Sequence, residues 1–208
     1  MRPNIIFIMS DQQRADSLGC TGNGVVKTPN IDALAARGAV FENHFTPHQI
    51  CSPSRATLFS GRMARHHGLT RNGVALKEDT PLIPHDLKDA GYRTHGVGKF
   101  HFQPILAGAK HAMPDSNAFW DLPQSKGWTG PFYGFDKVDI LIGEAVGATK
   151  GGHYARWLAQ TAPEAAEDIR KLLPEAPTMR PGPRMAPIHP QARRGGARQT
   201  SGIYDDSD

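Results

Sequence analysis

Asp11 stands directly after an apolar run, Ile5 to Met9. Its carboxylate is a hard oxygen donor of the kind Ca2+ or Mg2+ takes. Gln12 beside it can add an amide oxygen but no second charge. Cys51 heads the run Cys51-Ser52-Pro53-Ser54-Arg55, Asn72 lies in Arg71-Asn72-Gly73, and Lys99 and His101 sit two residues apart. Each has an ordinary reading by itself: a turn cap, a buried thiol, an ion-paired arginine, a surface lysine, a loop histidine. Taken together, in this order, they can hold a cation, neutralise an anion, and carry a nucleophile with a proton acceptor beside it.

The elements that must position them read as an α/β fold with a mainly parallel sheet and flanking helices. Residues 4 to 9 suit a strand buried on both faces. Thr28-Pro29 opens a helix with Thr28 as N-cap and Pro29 at N1; Ile31, Leu34 and Ala35 form its apolar face, and Gly38 ends it. A second strand is expected from Ala39 to Phe45, a loop at Cys51, and a short helix from Ser54 to Ser60 stopped by Gly61. A helix from Pro84 to Ala90 leads past Gly91 into a strand around Tyr92 to Val97. Asp11 follows the first strand, and Lys99 and His101 follow the last. All three therefore belong on the rim beyond the carboxyl ends of the strands, where ligands gather in such sheets.

Residues 103 to 135, rich in Gly, Pro and aromatic residues, read as a long irregular excursion, followed by helices near 153 to 160 and 163 to 173. Residues 1–173 thus form one domain, and residues 174–208 a Pro/Arg/Gly-rich disordered tail. Net charge is +4, but Arg180, Arg184, Arg193, Arg194 and Arg198 all lie in that tail. Without them the balance is 19 basic to 20 acidic residues, so the body of the chain is near neutral and no nucleic-acid partner is expected. With only Cys20 and Cys51, no disulfide framework is implied. No run approaches the roughly 18 apolar residues of a membrane span. The start does not read as a secretory signal, so the chain is expected in the cytoplasm.

The segment from Cys51 to Arg62, Cys-Ser-Pro-Ser-Arg-Ala-Thr-Leu-Phe-Ser-Gly-Arg, closely resembles the motif of the formylglycine-dependent sulfatases, a family of the alkaline-phosphatase-like superfamily. Thr28-Pro29-Asn30-Ile31-Asp32 resembles that family's first helix. Gly91-Tyr92-Arg93-Thr94 and Gly98-Lys99-Phe100-His101 resemble its Gly-Tyr-x-Thr and Gly-Lys-x-His elements. The resemblance covers about residues 4 to 102, half the chain.

It implies that a separate maturation enzyme oxidises Cys51 to formylglycine, directed by Pro53 and Arg55. The hydrated aldehyde then has one hydroxyl to attack a sulfate ester and a second whose deprotonation expels sulfate. It further implies that Arg55 steadies the formylglycine, Lys99 contacts it and the sulfate, and His101 helps remove the second proton. Asp11, Gln12 and the group derived from Cys51 would meet Ca2+ (or Mg2+). Asn72 matches a substrate-contacting asparagine of related phosphonate hydrolases.

The pattern departs from the family in two places. Asp11-Gln12 replaces a pair of aspartates, as in phosphonate monoester and phosphodiester hydrolases, which generally lack the counterparts of Lys99 and His101. Residues 103 to 208 also lack the family's second metal-binding pair and its leaving-group lysine and histidine: Asp205-Asp206 follows no apolar strand, and His189 lies between prolines. The expectation is a truncated sulfatase that is inactive and marginally stable alone. The alternatives are a phosphonate monoester or phosphodiester hydrolase, or a binding module with a basic tail. The tail reads either as authentic disorder or as a GC-rich gene in a shifted frame. His44, His48, His66, His67 and His85 lack metal-ligand spacing and read as structural or solvent-facing.

Overall fold

The computed structural model describes residues 2–143 and 145–172. Helix α1, Pro29–Ala35, starts with Pro29 at N1, but Thr28 does not cap it in the expected way. Its hydroxyl donates to Asp32 Oδ1 (2.9 Å) and accepts the Gly19 N–H (2.8 Å), while the Cys20 N–H also reaches Asp32 Oδ1 (2.8 Å). Side chains of the first turn thus serve to staple a 3-10 turn at Gly19–Thr21 to the helix.

Helix α2 spans Cys51–Ser60 and ends at Gly61, whose φ of 63° is the left-handed cap the sequence anticipates. Helix α3, Ala64–His67, follows at once, and α4 covers Ile83–Asp89. Strand β1, His95–Gly98, pairs in parallel with β2, Lys137–Ile140, in the register His95↔Lys137 through Gly98↔Ile140. Between the strands lies the short helix α5, Asn117–Trp120; after them come α6, Gly152–Thr161, and α7, Pro163–Leu172. His153 ties α6 to the sheet. Its Nδ1 accepts the Ile140 N–H (2.9 Å) and its Nε2–H reaches the Trp128 carbonyl (2.8 Å).

The core lies where the sequence showed only an excursion. Phe119, Trp120, Phe132, Tyr133 and Phe135 are buried with Phe100, Phe102, Val138 and Ile140. Phe100 meets Phe132 and Phe135 edge-on at 5.5 and 5.2 Å between centroids, and Phe102 meets Tyr133 at 5.1 Å. Such pairs add about 0.5–1.5 kcal/mol each beyond their buried area.

Two expected strands do not form. Residues 4–9 carry no regular structure and have no ladder partner among the described residues, where the sheet consists of β1 and β2. Exposure still alternates, 57, 82, 59 and 84% from Ile5 to Ile8, as a strand with one face turned inward would show. Residues 39–45 are irregular, with Val40, Phe41 and Phe45 exposed. An apolar run makes a strand only where a neighbour takes its backbone hydrogen bonds. The last expected strand begins three residues later than read, at His95, and β2 is an addition. The tail and its domain boundary lie outside the described residues.

Candidate active site

Cys51 is the first residue of α2 rather than part of the preceding loop. The first intrahelical bond is donated by Ser54, to the Ile50 carbonyl (3.1 Å). Pro53 therefore costs no hydrogen bond, since the amides before it have no carbonyl one turn back. Ile50, the residue flanking the helix, has no polar side chain to cap those amides. Asn72 does this from another loop: its Oδ1 accepts the Ser52 N–H at 3.3 Å. The same amide lies 3.6 Å from Cys51 Sγ.

His101 approaches Cys51 from the turn after β1. Its Nδ1 lies 3.2 Å from Sγ, and its carbonyl accepts the Ser52 hydroxyl proton at 2.7 Å. His101 is buried and holds a φ of 58°. A left-handed conformation at a non-glycine residue costs free energy and persists only where its surroundings enforce it.

A charged cluster adjoins the pair. Lys99 Nζ donates to Asp11 Oδ2 at 2.7 Å, and Arg55 Nη2 lies 3.6 Å from Asp11 Oδ1. Arg55 is 6% exposed and also donates to the Lys99 carbonyl. Partial burial pushes the Asp11 carboxyl up, but Lys99 and then Arg55 outweigh it and hold it below the ordinary carboxylate range. Of the three residues placed on the rim, Asp11 and Lys99 meet directly, joined by Arg55, and His101 meets Cys51 and Asn72 beside them. Gln12 does not join: it is exposed, with φ 44°, and its side chain makes no hydrogen bond among the described residues.

The described residues do not by themselves complete a shell for Ca2+ or Mg2+. Asp11 is engaged by two cations, Gln12 stands apart, and no group of three or more His, Cys, Asp or Glu side chains is placed to hold a metal ion. Calcium takes about six to eight oxygens.

Of the other histidines weighed in the sequence, His48, His67 and His85 have structural partners, and His44 and His66 are exposed. His67 Nδ1 accepts the Leu69 N–H (3.2 Å) and its Nε2 meets Thr57 Oγ1 (3.0 Å). His48 and His85 accept the backbone N–H groups of Ile50 and Leu82. Asp115 escaped the sequence reading. It is a buried carboxylate beneath the His101 turn, and nothing in Met113-Pro114-Asp115-Ser116 marks it in the sequence.

The sequence matches the sulfatase family over residues 3–159, and the chain belongs to that family. It is 37% identical over 120 residues to an ulvan-active sulfatase of Formosa agariphila, a match covering 58% of this chain and 22% of that protein. It is 40% identical over 106 residues to an arylsulfatase of Clostridium perfringens, covering 50% and 22%. The phosphonate monoester hydrolase of Agrobacterium radiobacter superposes with a TM-score of 0.58 and 30% identity, over 79% of this chain and 30% of that one. The fold is that of the alkaline-phosphatase-like sulfatases, with a small parallel sheet and flanking helices. The matches span about a fifth of the two curated relatives' length. Sulfatases typically use a formylglycine and a divalent metal.

Proposed function

We propose that this chain supplies the nucleophile half of a sulfate-ester hydrolase, with Cys51 as the residue a maturation enzyme converts to formylglycine. The observation that carries the reading is the 3.2 Å approach of His101 Nδ1 to Cys51 Sγ, next to the Lys99–Asp11–Arg55 cluster. As a hydrated aldehyde, formylglycine supplies two hydroxyls on one carbon, one to form the bond to sulfur and one to release sulfate. His101 Nδ1 is placed to hold or accept a proton at that side chain. Lys99 brings a cation to the anionic ester, and the N-terminal end of the α2 dipole adds partial positive charge. Arg55 donates to the Lys99 carbonyl and lies against Asp11, the carboxylate that accepts from the Lys99 ammonium group, so the lysine is held rather than free to swing. Asn72 completes the end of α2 and faces the same side chain. Ligands for a divalent cation and an acid for the leaving alcohol come from outside the described residues.

The likeness to a phosphonate monoester hydrolase, together with Gln12 after Asp11, favours a second reading, hydrolysis of phosphonate or phosphate diesters at the same site. Lys99 and His101 weigh toward sulfate. Turnover of a nitrophenyl sulfate and of a nitrophenyl phosphodiester by the natural protein that carries this sequence separates the two. A higher kcat/KM for sulfate, lost in Cys51→Ala, is expected. Preference for the phosphodiester refutes the sulfatase reading.

A further inference from the structure

Asp115 is 2% exposed, and its Oδ2 accepts the backbone N–H groups of Phe102 (2.8 Å) and Gln103 (3.2 Å). Two successive N–H groups thus converge on one carboxylate oxygen, an arrangement that binds anions through backbone dipoles. Gln103 closes the ring from the other side, its Oε1 accepting the Asp115 N–H at 3.2 Å. The turn so held is the one whose first residue has the left-handed φ and carries the ring at Cys51. Phe102 below it is fully buried, and its carbonyl accepts the Leu76 N–H at 2.7 Å.

We propose that Asp115 is a positioning residue for His101: its carboxylate gathers the amides of residues 102 and 103 and thereby fixes the strained turn that aims the imidazole at residue 51. The proposal rests on the reading of His101 as part of the site. A carboxylate suits this place better than a hydroxyl, since two inward-pointing donors on one oxygen favour an acceptor with negative charge. Burial drives the carboxyl up to about 7, against the amides of Phe102, Gln103 and His101 and the more distant Arg55. The clamp is therefore a costly buried acid at the one turn where precise aim matters.

The test is alkylation of Cys51 by iodoacetamide in the full chain carrying the unmodified thiol. The Cys51 and Cys20 peptides are followed by mass spectrometry from about pH 5 to about pH 9, the range in which histidine titrates. A ring nitrogen that accepts the thiol proton speeds alkylation, so His101→Ala is expected to slow Cys51 roughly tenfold near neutral pH and to reshape its pH profile. Asp115→Ala is expected to reproduce both changes, and Asp115→Asn, which keeps one acceptor oxygen, to fall between. Cys20, held by Asp32 far along the chain, serves as the control and keeps its wild-type rate.

A wild-type Cys51 profile in either Asp115 variant overturns the proposal. If Asp115→Ala does not fold, Asp115→Asn decides alone. Equal slowing at Cys20 and Cys51 also overturns it, because that signals general loosening of the fold. The assay needs no turnover. A selective effect of Asp115 in a protein that hydrolyses no sulfate ester would refute the functional reading and leave the positioning role standing.

Discussion

Lys99 and Asp11 are 88 residues apart in sequence and 2.7 Å apart in space, and the two partners differ in exposure: 9% for the lysine side chain, 37% for the carboxylate. Solvent screens the open end, so the pair contributes on the order of 1 kcal/mol or less to stability. Its larger effect is on charge at the site. Lys99→Ala is expected to lower kcat/KM for a sulfate ester about 10²- to 10³-fold, the usual cost of deleting one group that stabilises transition-state charge, while the thermal midpoint moves by only a few degrees. Steady-state kinetics and calorimetry check the two halves. The folded pKa of Asp11 lies below its ordinary 3.8. Its stabilising contribution is thus present above about pH 4 and lost as pH falls through the lower folded value. Cys51, Arg55, Lys99, His101 and Asp11 were legible because each belongs to a motif or follows an apolar run. Asp115 was not, because its role is defined by backbone amides that any residues at 102 and 103 would present.

At the scale of elements, α2 depends on neighbours for what its own sequence lacks. Asn72 caps its start, and His67 braces its middle through Thr57. The Leu69 N–H fixes His67 Nδ1 as acceptor, so Nε2 carries the proton and donates to Thr57. Thr57→Val leaves that buried donor without a partner and is expected to cost about 1–3 kcal/mol in denaturant unfolding. Burial, with His66 nearby, lowers the His67 pKa below its ordinary 6.5. The folded state then binds fewer protons than the unfolded one. The contribution is therefore full above about pH 6.5 and lost as pH falls through the folded value, and unfolding series at acid and neutral pH read it directly.

Gly96 in β1 is a second such dependence. A Cβ there would lie 2.4 Å from the Phe100 ring, within the Gly98-to-His101 turn. Gly96→Ala is expected to cost about 1–3 kcal/mol by overpacking and to reduce activity further by displacing that turn. Helices were the legible elements, since periodicity and glycine stops are local. α2 still began three residues early, because its cap comes from Asn72. Strands were legible only in part. β2 is four residues whose alternation, Val138 and Ile140 buried between Lys137 and Asp139, is too short to stand out beside Gly- and Pro-rich text.

Across the whole molecule, the apolar residues nearest the start of the chain stay out of the core. The core draws on residues 56–142, whereas Ile5 to Ile8, Val40, Phe41 and Phe45 face solvent. Ile5, Phe7 and Met9 line a groove with β1, Leu58 and Phe59, and Asp11, Arg55 and Lys99 stand in the same groove. The candidate site is therefore continuous with apolar surface of a kind that folded proteins usually cover. Among the described residues no helix is long and apolar enough to cross a membrane. The central claim is that Cys51 is a precursor rather than the finished nucleophile. The most direct measurement is the mass of the Cys51 peptide after co-expression with a formylglycine-generating enzyme. An aldehyde that a hydrazine reagent captures, and that disappears in Pro53→Ala or Arg55→Ala, is the expected result; a peptide carrying the intact thiol, from folded protein with active maturation enzyme present, would show that Cys51 is no such precursor.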